Sequence, residues 1–181
     1  MAKAAPAPPP PPPAPLAVNP LGPPATLAVD VFLSVGEFYR ELIHDVRSAP
    51  RVDMGTFIFD HPALTDTLER RLWGSTPFAL TVMVDREQFE SGEYYYQRSR
   101  LRRLFDGGGK VYLCRGPPPQ GSFHVKALVV GRRRLYAGSP NFTFKNERNT
   151  ELPLRIAGPP VLSVLKLLEE ARSRATVWDG K

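Results

Sequence analysis

The chain has 181 residues, 21 of them proline, and carries a formal net charge of +6 at pH 7. Its length allows one domain with a sizeable hydrophobic core, and we find no apolar stretch long enough to be a membrane span or a secretory signal. The single cysteine, Cys114, excludes an internal disulfide and a zinc site built on several thiolates, so we expect a soluble, intracellular protein.

The N-terminal segment is dominated by proline. Residues 1–24 contain 11 of the 21 prolines and show no apolar periodicity, so we predict a disordered or polyproline II tail over residues 1–26. Such a tail could be a ligand for a Pro-recognising domain, although a solvated segment without a partner is the more common outcome for this composition. The folded domain is then predicted to span residues 27–181.

Helices and strands alternate through the first half of this domain. Apolar residues at helical spacing predict a helix over 35–47 and another that begins at Pro62, with Asp60 or His61 as its N-cap. A further helix is predicted to end before the glycines at 107–109. Short apolar runs predict three strands, over 55–59, 78–84 and 110–114.

The second half begins with strands that follow one another and ends with a helix. A strand is predicted over 125–130, a returning strand over 135–137 after a basic turn, and another over 150–156. Beyond Gly158, an apolar stripe predicts the last helix. This order indicates an α/β layered sandwich in which a mixed, mostly parallel β-sheet is flanked by helices. We find no internal repeat.

Four side chains around the strand at 125–130 suit chemistry on a phosphodiester. Because side chains alternate along a strand, His124 and Lys126 are predicted to project from the same face, and the returning strand is predicted to bring Ser139 and Asn141 to them. An imidazole can attack phosphorus or transfer protons near neutral pH, while an ammonium and two neutral donors can hold phosphate oxygens. Such chemistry requires no metal ion or other cofactor.

The spacing of these residues resembles the signature of the phospholipase D superfamily. The signature has an H-x-K motif, then Gly-Ser-x-Asn beginning twelve residues after the lysine, then Asn149 and Glu151 ahead of another strand. The similarity extends over residues 111–156. With a single motif, the chain is similar to the short members of the superfamily, of the bacterial endonuclease and mitochondrial phospholipase D type.

The resemblance implies a mechanism and a role for each residue of the motif. By this resemblance, His124 is the nucleophile that forms a phosphohistidine, and Glu151 hydrogen-bonds and orients its imidazole. The residues that would hold the phosphate are Lys126, Ser139 and Asn141. The chain is therefore expected to be a metal-independent phosphodiesterase.

One position departs from the family pattern. The aspartate of the signature, expected five residues after the lysine, is Gly131 here. The tyrosyl-DNA phosphodiesterase branch also lacks this aspartate and is active, so the departure does not by itself indicate an inactive protein. It does leave open a non-catalytic family member that binds nucleic acid without cutting it.

The presence of only one H-x-K motif predicts a dimer. A two-step displacement needs a nucleophile on one side of phosphorus and an acid on the other to protonate the leaving oxygen. Short members of the family that this chain resembles pair two identical subunits, each of which supplies one histidine. We therefore expect a symmetric homodimer in which both copies of His124 face one phosphate.

Positive charge is concentrated around the motif and favours a nucleic acid as the partner. Residues 98–134 carry a net charge of +9, so the rest of the chain carries −3. Exposed aromatic rings would favour single strands, whose unpaired bases can stack. The candidate stacking residues are Tyr94, Tyr95, Tyr96, Phe123, Phe142 and Phe144. The residues to which we assign substrate binding are Arg132, Arg133, Arg134, Phe142 and Asn149.

An anionic phospholipid is the alternative substrate. Phe142 and Phe144 beside a basic rim could instead insert at a membrane surface, and phospholipid head groups are phosphodiesters too. On this alternative the protein is a phospholipase D-type hydrolase of a cardiolipin-like lipid. We favour the nuclease because the mitochondrial branch usually has a membrane anchor, which we do not find in this sequence.

Overall fold

The computed structural model describes residues 26–117 and 121–181. The Pro-rich tail predicted over 1–26 lies outside these ranges except for Thr26, and so does part of the loop that leads to the motif. Within the described ranges, no helix combines the length and apolarity that crossing a bilayer demands.

The described residues form one eight-stranded sheet with helices on both faces. The strands are β1 (Ala28–Val31), β2 (Arg51–Thr56), β3 (Ala79–Asp85), β4 (Lys110–Cys114), β5 (Lys126–Val130), β6 (Arg134–Gly138), β7 (Pro153–Ala157) and β8 (Thr176–Val177). The helices are α1 (Val35–Ser48), α2 (Pro62–Leu72), α3 (Arg86–Ser91), α4 (Tyr95–Asp106) and α5 (Pro160–Ser173), with a 3-10 helix over Phe144–Arg148.

The sheet is mixed, and the predicted α/β layered class is confirmed. Its strand order is β1-β7-β6-β5-β2-β3-β4-β8. Only the β2–β3 and β3–β4 pairings are parallel, and the other five are antiparallel, so the expectation of a mostly parallel sheet is wrong. The physical reason lies in the connections, because the three residues between β5 and β6 are too few for the crossover that parallel neighbours require.

The two faces of the sheet bury separate sets of apolar side chains. Helices α1, α2 and α4 pack on one face, over a large cluster that includes Phe38, Leu68 and Leu104. Helix α5 covers the other face, where Leu168 packs with Met83. The structure leaves no room for a side chain at position 55 of β2, because a Cβ there would lie 2.5 Å from Leu168 Cδ2.

The first half of the domain follows the predicted order, with shifted boundaries. His61 is the N-cap of α2, as one of the two predicted choices. The strand predicted over 55–59 overlaps β2 only at residues 55 and 56, because β2 begins at Arg51 and ends at Thr56. Its charged residues satisfy each other, since Arg51 donates to both carboxylate oxygens of Asp53, at 2.6 and 2.7 Å. The helix predicted before residue 107 is two helices, separated at Gly92, whose φ is +73°.

Candidate active site

The predicted catalytic segment enters the sheet where β2 ends and β5 begins. Lys126 is the first residue of β5 and pairs with Thr56, the last residue of β2. The pairing continues for one further hydrogen bond, in which the Phe57 amide donates to the Val125 carbonyl at 2.9 Å. His124 therefore lies just outside the sheet, at an edge where the strand has left its partners.

A buried carboxylate fixes the backbone immediately before the histidine. Asp85, at the end of β3, is 2% exposed. One of its oxygens accepts from the Gln88 amide at 3.0 Å and caps α3, and the other accepts from the Phe123 amide at 2.7 Å. Because buried carboxylates need such partners, Asp85 links the position of His124 to the parallel core of the sheet.

The predicted pair of imidazole and ammonium is in place. Lys126 Nζ lies 3.1 Å from Nδ1 and 3.3 Å from Nε2 of His124. The Phe57 ring packs on both groups, with its centroid 4.4 Å from the imidazole centroid and 5.6 Å from Lys126 Nζ. His124 itself is exposed, so its ring is open to an incoming substrate while an aromatic side chain supports one side of it.

Lys126 is half-buried, and its surroundings change its titration. Burial lowers the pKa of Lys126, and the nearby negative charge of Glu151 acts in the opposite direction to raise it. An ammonium that has lost part of its hydration gains more from an anion than a fully solvated one does. The site therefore presents a cation suited to a phosphate oxygen.

Three further motif residues form a hydrogen-bonded chain beside this pair. The Ser139 hydroxyl donates to Glu151 Oε2 and accepts from the Leu152 amide at 2.9 Å. The Asn149 side-chain amide donates to Glu151 Oε1 at 3.3 Å. Within the single chain, Glu151 thus bonds Ser139 and Asn149 and not the imidazole, so its predicted role in orienting His124 stays a prediction.

Asn141 is held by its backbone, and its side chain retains an unused acceptor. Its carbonyl accepts from the Tyr39 hydroxyl at 3.0 Å and from the Thr143 amide at 2.8 Å. Its Oδ1 is buried without a hydrogen-bond donor among the residues that the structure describes. A phosphate oxygen is itself an acceptor, so only the Nδ2 group of Asn141 could donate to it, and the phosphate-binding role of Asn141 stays a prediction.

A second histidine, His61, packs on the tyrosine that holds the Asn141 backbone. His61 is 2% exposed and stacks on Tyr39, with ring centroids 3.8 Å apart. Its Nδ1 accepts from the Leu64 amide at 3.2 Å, so the ring proton is on Nε2, which lies 2.7 Å from Glu147 Oε1. Burial lowers the pKa of His61, with Glu147 opposing that effect. His61 is therefore a structural, neutral histidine.

Several residues assigned to substrate binding lie elsewhere. Arg132 and Arg133 occupy the turn after β5, and Arg134 opens β6. Four strand residues separate this turn from Lys126, a distance of about 17 Å along the strand. The arginine turn therefore lies apart from the catalytic pair, and its assignment to substrate binding stays a prediction.

Two of the aromatic residues predicted to stack on bases are buried. Phe142 is 1% exposed and Phe123 is 5% exposed, so both rings are packed in the core and neither can stack on a base or insert into a membrane. Phe142 is buried because its segment folds back over the sheet, where it bridges to Phe59. Phe144, Tyr95 and Tyr96 are exposed, as the stacking hypothesis requires.

Some residues that shape the site were not found from the sequence. Phe57, Tyr39 and Glu147 contact motif residues or their supports, but each is an ordinary aromatic or acidic residue in its own segment. Asp85 had a weak signal, since a carboxylate after a buried strand is a common helix cap. In the part of the chain that the structure describes, no three His, Cys, Asp or Glu side chains gather in a way that could hold a metal ion.

Comparison with known proteins agrees with the fold and identifies the family. A sequence profile of the family described as "Cardiolipin synthase, PLD-like domain" matches residues 42–171, more than half of the chain. No curated protein sequence matches the chain significantly.

Solved structures with a similar fold include two proteins that this chain covers almost completely and one longer protein. Nuc from Salmonella typhimurium, a phospholipase D family member, superposes with a TM-score of 0.71 at 17% identity, over 84% of this chain and 99% of its own. NucT from Helicobacter pylori gives 0.67 at 14% identity, over 84% and 100%. Phosphatidylserine synthase from Haemophilus influenzae gives 0.64 at 16% identity, over 84% of this chain and 40% of its own. At these identities the similarity establishes the fold.

Proposed function

The chain belongs to the phospholipase D superfamily, and from this premise we propose that it is a metal-independent phosphodiesterase that acts through a phosphohistidine. The observation that carries the proposal is the exposed imidazole of His124 with Lys126 Nζ 3.1 Å from its Nδ1. A solvent-accessible base beside a partly desolvated cation is the minimal arrangement for attack on an anionic phosphodiester. Ser139 and Asn141 supply further polar groups beside it.

In the first step, a neutral His124 nitrogen attacks phosphorus and the bond to the leaving oxygen breaks. Lys126 stabilises the charge on the non-bridging oxygens, and the Ser139 hydroxyl turns from Glu151 towards the phosphate. An acid protonates the leaving oxygen. In the second step, water loses a proton to the resulting base and attacks phosphorus, and the phosphorus–nitrogen bond breaks to regenerate the imidazole.

The acid comes from a second copy of the chain. The chain has three histidines, and neither of the other two suits the task. His61 is buried and committed to capping α2. His44 is adjacent to Asp45, which pairs with Arg134 at the far end of β5. A symmetric dimer that brings the partner subunit's His124 to the same phosphate would supply both imidazoles.

Nucleic acid is the substrate that the charge distribution favours. The chain is basic, and two of the fold's solved relatives are Nuc and NucT, each nearly as long as the matched domain. Single strands suit the exposed rings of Tyr95, Tyr96 and Phe144. The protein is therefore proposed to be a nuclease on single-stranded DNA or RNA.

Phospholipid hydrolysis is the second candidate. The observation in its favour is that the matching family is described as cardiolipin synthase, and that phosphatidylserine synthase shares the fold. Burial of Phe142 removes one of the two rings that were to insert into the bilayer and weakens this candidate.

The non-catalytic alternative rested on Gly131, and the structure places this residue away from the site. Gly131 lies in the turn beyond β5, where its φ is +58° and its amide donates to the Arg51 carbonyl at 2.9 Å. Glycine adopts positive φ without strain, so it suits this turn. The absence of an aspartate there leaves the His124–Lys126 pair untouched.

Trapping the intermediate tests the proposal directly. The full-length protein is mixed with labelled single-stranded oligonucleotide or labelled anionic vesicles in EDTA, quenched with alkali, and searched for an acid-labile phosphorus–nitrogen adduct. We expect the adduct on His124, from the oligonucleotide, and none with His124→Asn. Turnover of vesicles alone would select the lipid candidate. Binding of oligonucleotide without turnover, equal in wild type and His124→Asn, would favour the non-catalytic one.

Sedimentation tests the dimer separately. Wild type at micromolar concentration is expected to sediment as a dimer, and an active monomer would contradict the two-histidine mechanism.

A further inference from the structure

A second concave surface lies at the same end of the sheet as His124. It is a cavity of about 360 Å³ between the first turns of α4 and the 3-10 helix. Its polar and aromatic lining consists of Asp60, Tyr96, Arg100, Phe144, Lys145 and Arg148. The volume falls within the range of about 300–1,000 Å³ that is typical of small-ligand sites. The catalytic scheme above uses none of these residues.

Three cations line the cavity, those of Arg100, Lys145 and Arg148. Among residues 26–117 and 121–181, no ion pair involves Arg100, Lys145 or Arg148. The Nε of Arg100 is buried without an acceptor in the same part of the chain. The one lining carboxylate, Asp60, already accepts from the Phe144 amide at 3.0 Å. The surface therefore has unused donors for an anion.

Other arginines of the same helix differ in this respect. Arg102 pairs with Asp106, its neighbour one turn along α4, and Arg103 donates to Asp66 at 2.8 Å and also pairs with Glu69. Their charges are therefore already neutralised by carboxylates of the same chain. Arg100 lines the cavity instead, whereas Arg98 of the same helix packs on the Phe89 ring.

Two exposed rings complete the surface. Tyr96 is 63% exposed and Phe144 is 51% exposed, although both line a concavity. Large aromatic side chains that are left open beside cations are typical of surfaces on which unpaired bases stack. A membrane surface would instead be matched by apolar side chains that project outward, without a polar floor.

The cavity and the catalytic pair share the loops that border them. Asp60 follows Phe57, which packs on His124, by three residues, and Phe144 follows Asn141 by three residues. The Tyr39 hydroxyl donates to the Asn141 carbonyl, while its ring stacks on His61, which in turn meets the Phe144 ring at 6.4 Å between centroids. A chain with one phosphate at His124 would thus pass beside the cavity.

We propose that this cavity binds one nucleotide of a single-stranded nucleic acid, next to the phosphate that is cleaved at His124. Its base would stack on Tyr96 and Phe144, and its phosphate would be held by Arg100 and Arg148. This inference rests on the proposed phosphodiesterase function and specifies its substrate, because a base within a duplex is not free to enter the cavity.

The test compares a large and a small substrate for the same catalytic pair. The substrates are a single-stranded oligonucleotide and bis(4-nitrophenyl) phosphate, which has neither a nucleobase nor the second phosphate of a flanking nucleotide. For Tyr96→Ala and Phe144→Ala we expect the ratio of kcat/KM for oligonucleotide to kcat/KM for the small diester to fall by about 5- to 150-fold, the effect of losing one stacked base.

Matched controls distinguish the cavity from the general surface. Trp73→Ala removes a ring that is 68% exposed after the end of α2 and does not line the cavity, and it should leave the ratio within twofold of wild type. In the His124→Asn background, Arg100→Ala with Arg148→Ala should reduce the slope of log affinity against log salt by about 0.7, as expected when one phosphate is no longer neutralised. Lys166→Ala with Arg174→Ala on or next to α5 removes equal charge and should change the slope less.

Each outcome decides for or against the cavity. If wild type cleaves both substrates and the cavity variants leave the ratio unchanged, the cavity does not bind a nucleotide. If wild type cleaves neither substrate but oligonucleotide binding still depends on Tyr96 and Arg100, the cavity inference stands and the phosphodiesterase proposal fails. Loss of binding to anionic vesicles in the cavity variants, with oligonucleotide binding intact, would identify a lipid surface and overturn the inference.

Discussion

Strand β5 has a lysine at one end and three arginines beyond the other, and these cations meet different surroundings. At the first end, Lys126 is half-buried beside an exposed imidazole and close to Glu151. At the other end, Arg134 pairs with Asp45, a carboxylate whose side chain is 6% exposed and which also accepts from the Tyr136 hydroxyl at 2.5 Å. One cation is available to a substrate, and the other is used by the fold.

The comparison shows why net charge along a sequence does not locate a binding surface. Residues 98–134 are strongly basic, yet Arg102, Arg103 and Arg134 are all paired with carboxylates of the same chain. A cation that already neutralises a carboxylate contributes little to the attraction of a polyanion. Among the described residues Arg132 and Arg133 also form no ion pair, but they lie at the end of β5 opposite Lys126.

Removing charge from each end of β5 is the strongest test of this difference. Lys126→Ala should lower kcat/KM for an oligonucleotide by about 10²–10³-fold, because the phosphate loses its nearest cation. Arg132→Ala with Arg133→Ala removes twice the charge from the turn and should cost less than about threefold, through weaker long-range attraction alone. A larger loss in the turn variant than in Lys126→Ala would show that the basic turn binds the substrate after all.

Arg134 should matter for stability rather than activity. Arg134→Ala leaves the buried carboxylate of Asp45 with the Tyr136 hydroxyl and no cation, so the free energy of unfolding should fall by about 1–2 kcal/mol, a moderate value because Arg134 is half-exposed. Urea denaturation measures this, with Arg133→Ala as the control that should stay within about 0.5 kcal/mol of wild type. Equal stability of the two variants would mean that the Asp45 pair contributes nothing.

The smallest expected effect concerns His61 and pH. Burial lowers the pKa of His61 below 6.5, its ordinary value, so the unfolded chain takes up a proton at a pH where the folded chain does not. Its contribution to stability is therefore present above pH 6.5 and is lost as the pH falls below it, by up to about 1.4 kcal/mol per pH unit.

His61→Asn keeps a capping acceptor but cannot titrate in this range. Between pH 7.5 and 5.5, the free energy of unfolding should fall by about 1 kcal/mol less in this variant than in wild type. His44→Gln, at an exposed position, should follow wild type. Parallel pH profiles for all three proteins would show that His61 gains a proton as readily in the folded state as in the unfolded chain.

The spacing of residue types was sufficient to predict the order of most helices and strands and to identify the family. Period-two and period-3.6 apolar patterns predicted strands and helices close to their observed positions, with β4 matching at both ends. The strands β1 and β8 were not predicted. β1 is short and fully exposed, and β8 has only two residues, so neither has an apolar pattern to detect. The expectation of a mostly parallel sheet was wrong because local sequence patterns do not show which strands become neighbours.

What the sequence by itself determined was the chemistry: an imidazole and an ammonium two residues apart, with a serine and an amide beyond a hairpin. Only the tertiary structure decided which other groups surround that pair. It turned the three arginines away to the opposite end of β5, buried Phe142, and brought Tyr96 and Arg100 from α4 to Phe144. The physical reason is that side-chain type is local, whereas exposure and charge pairing depend on contacts between segments distant along the chain.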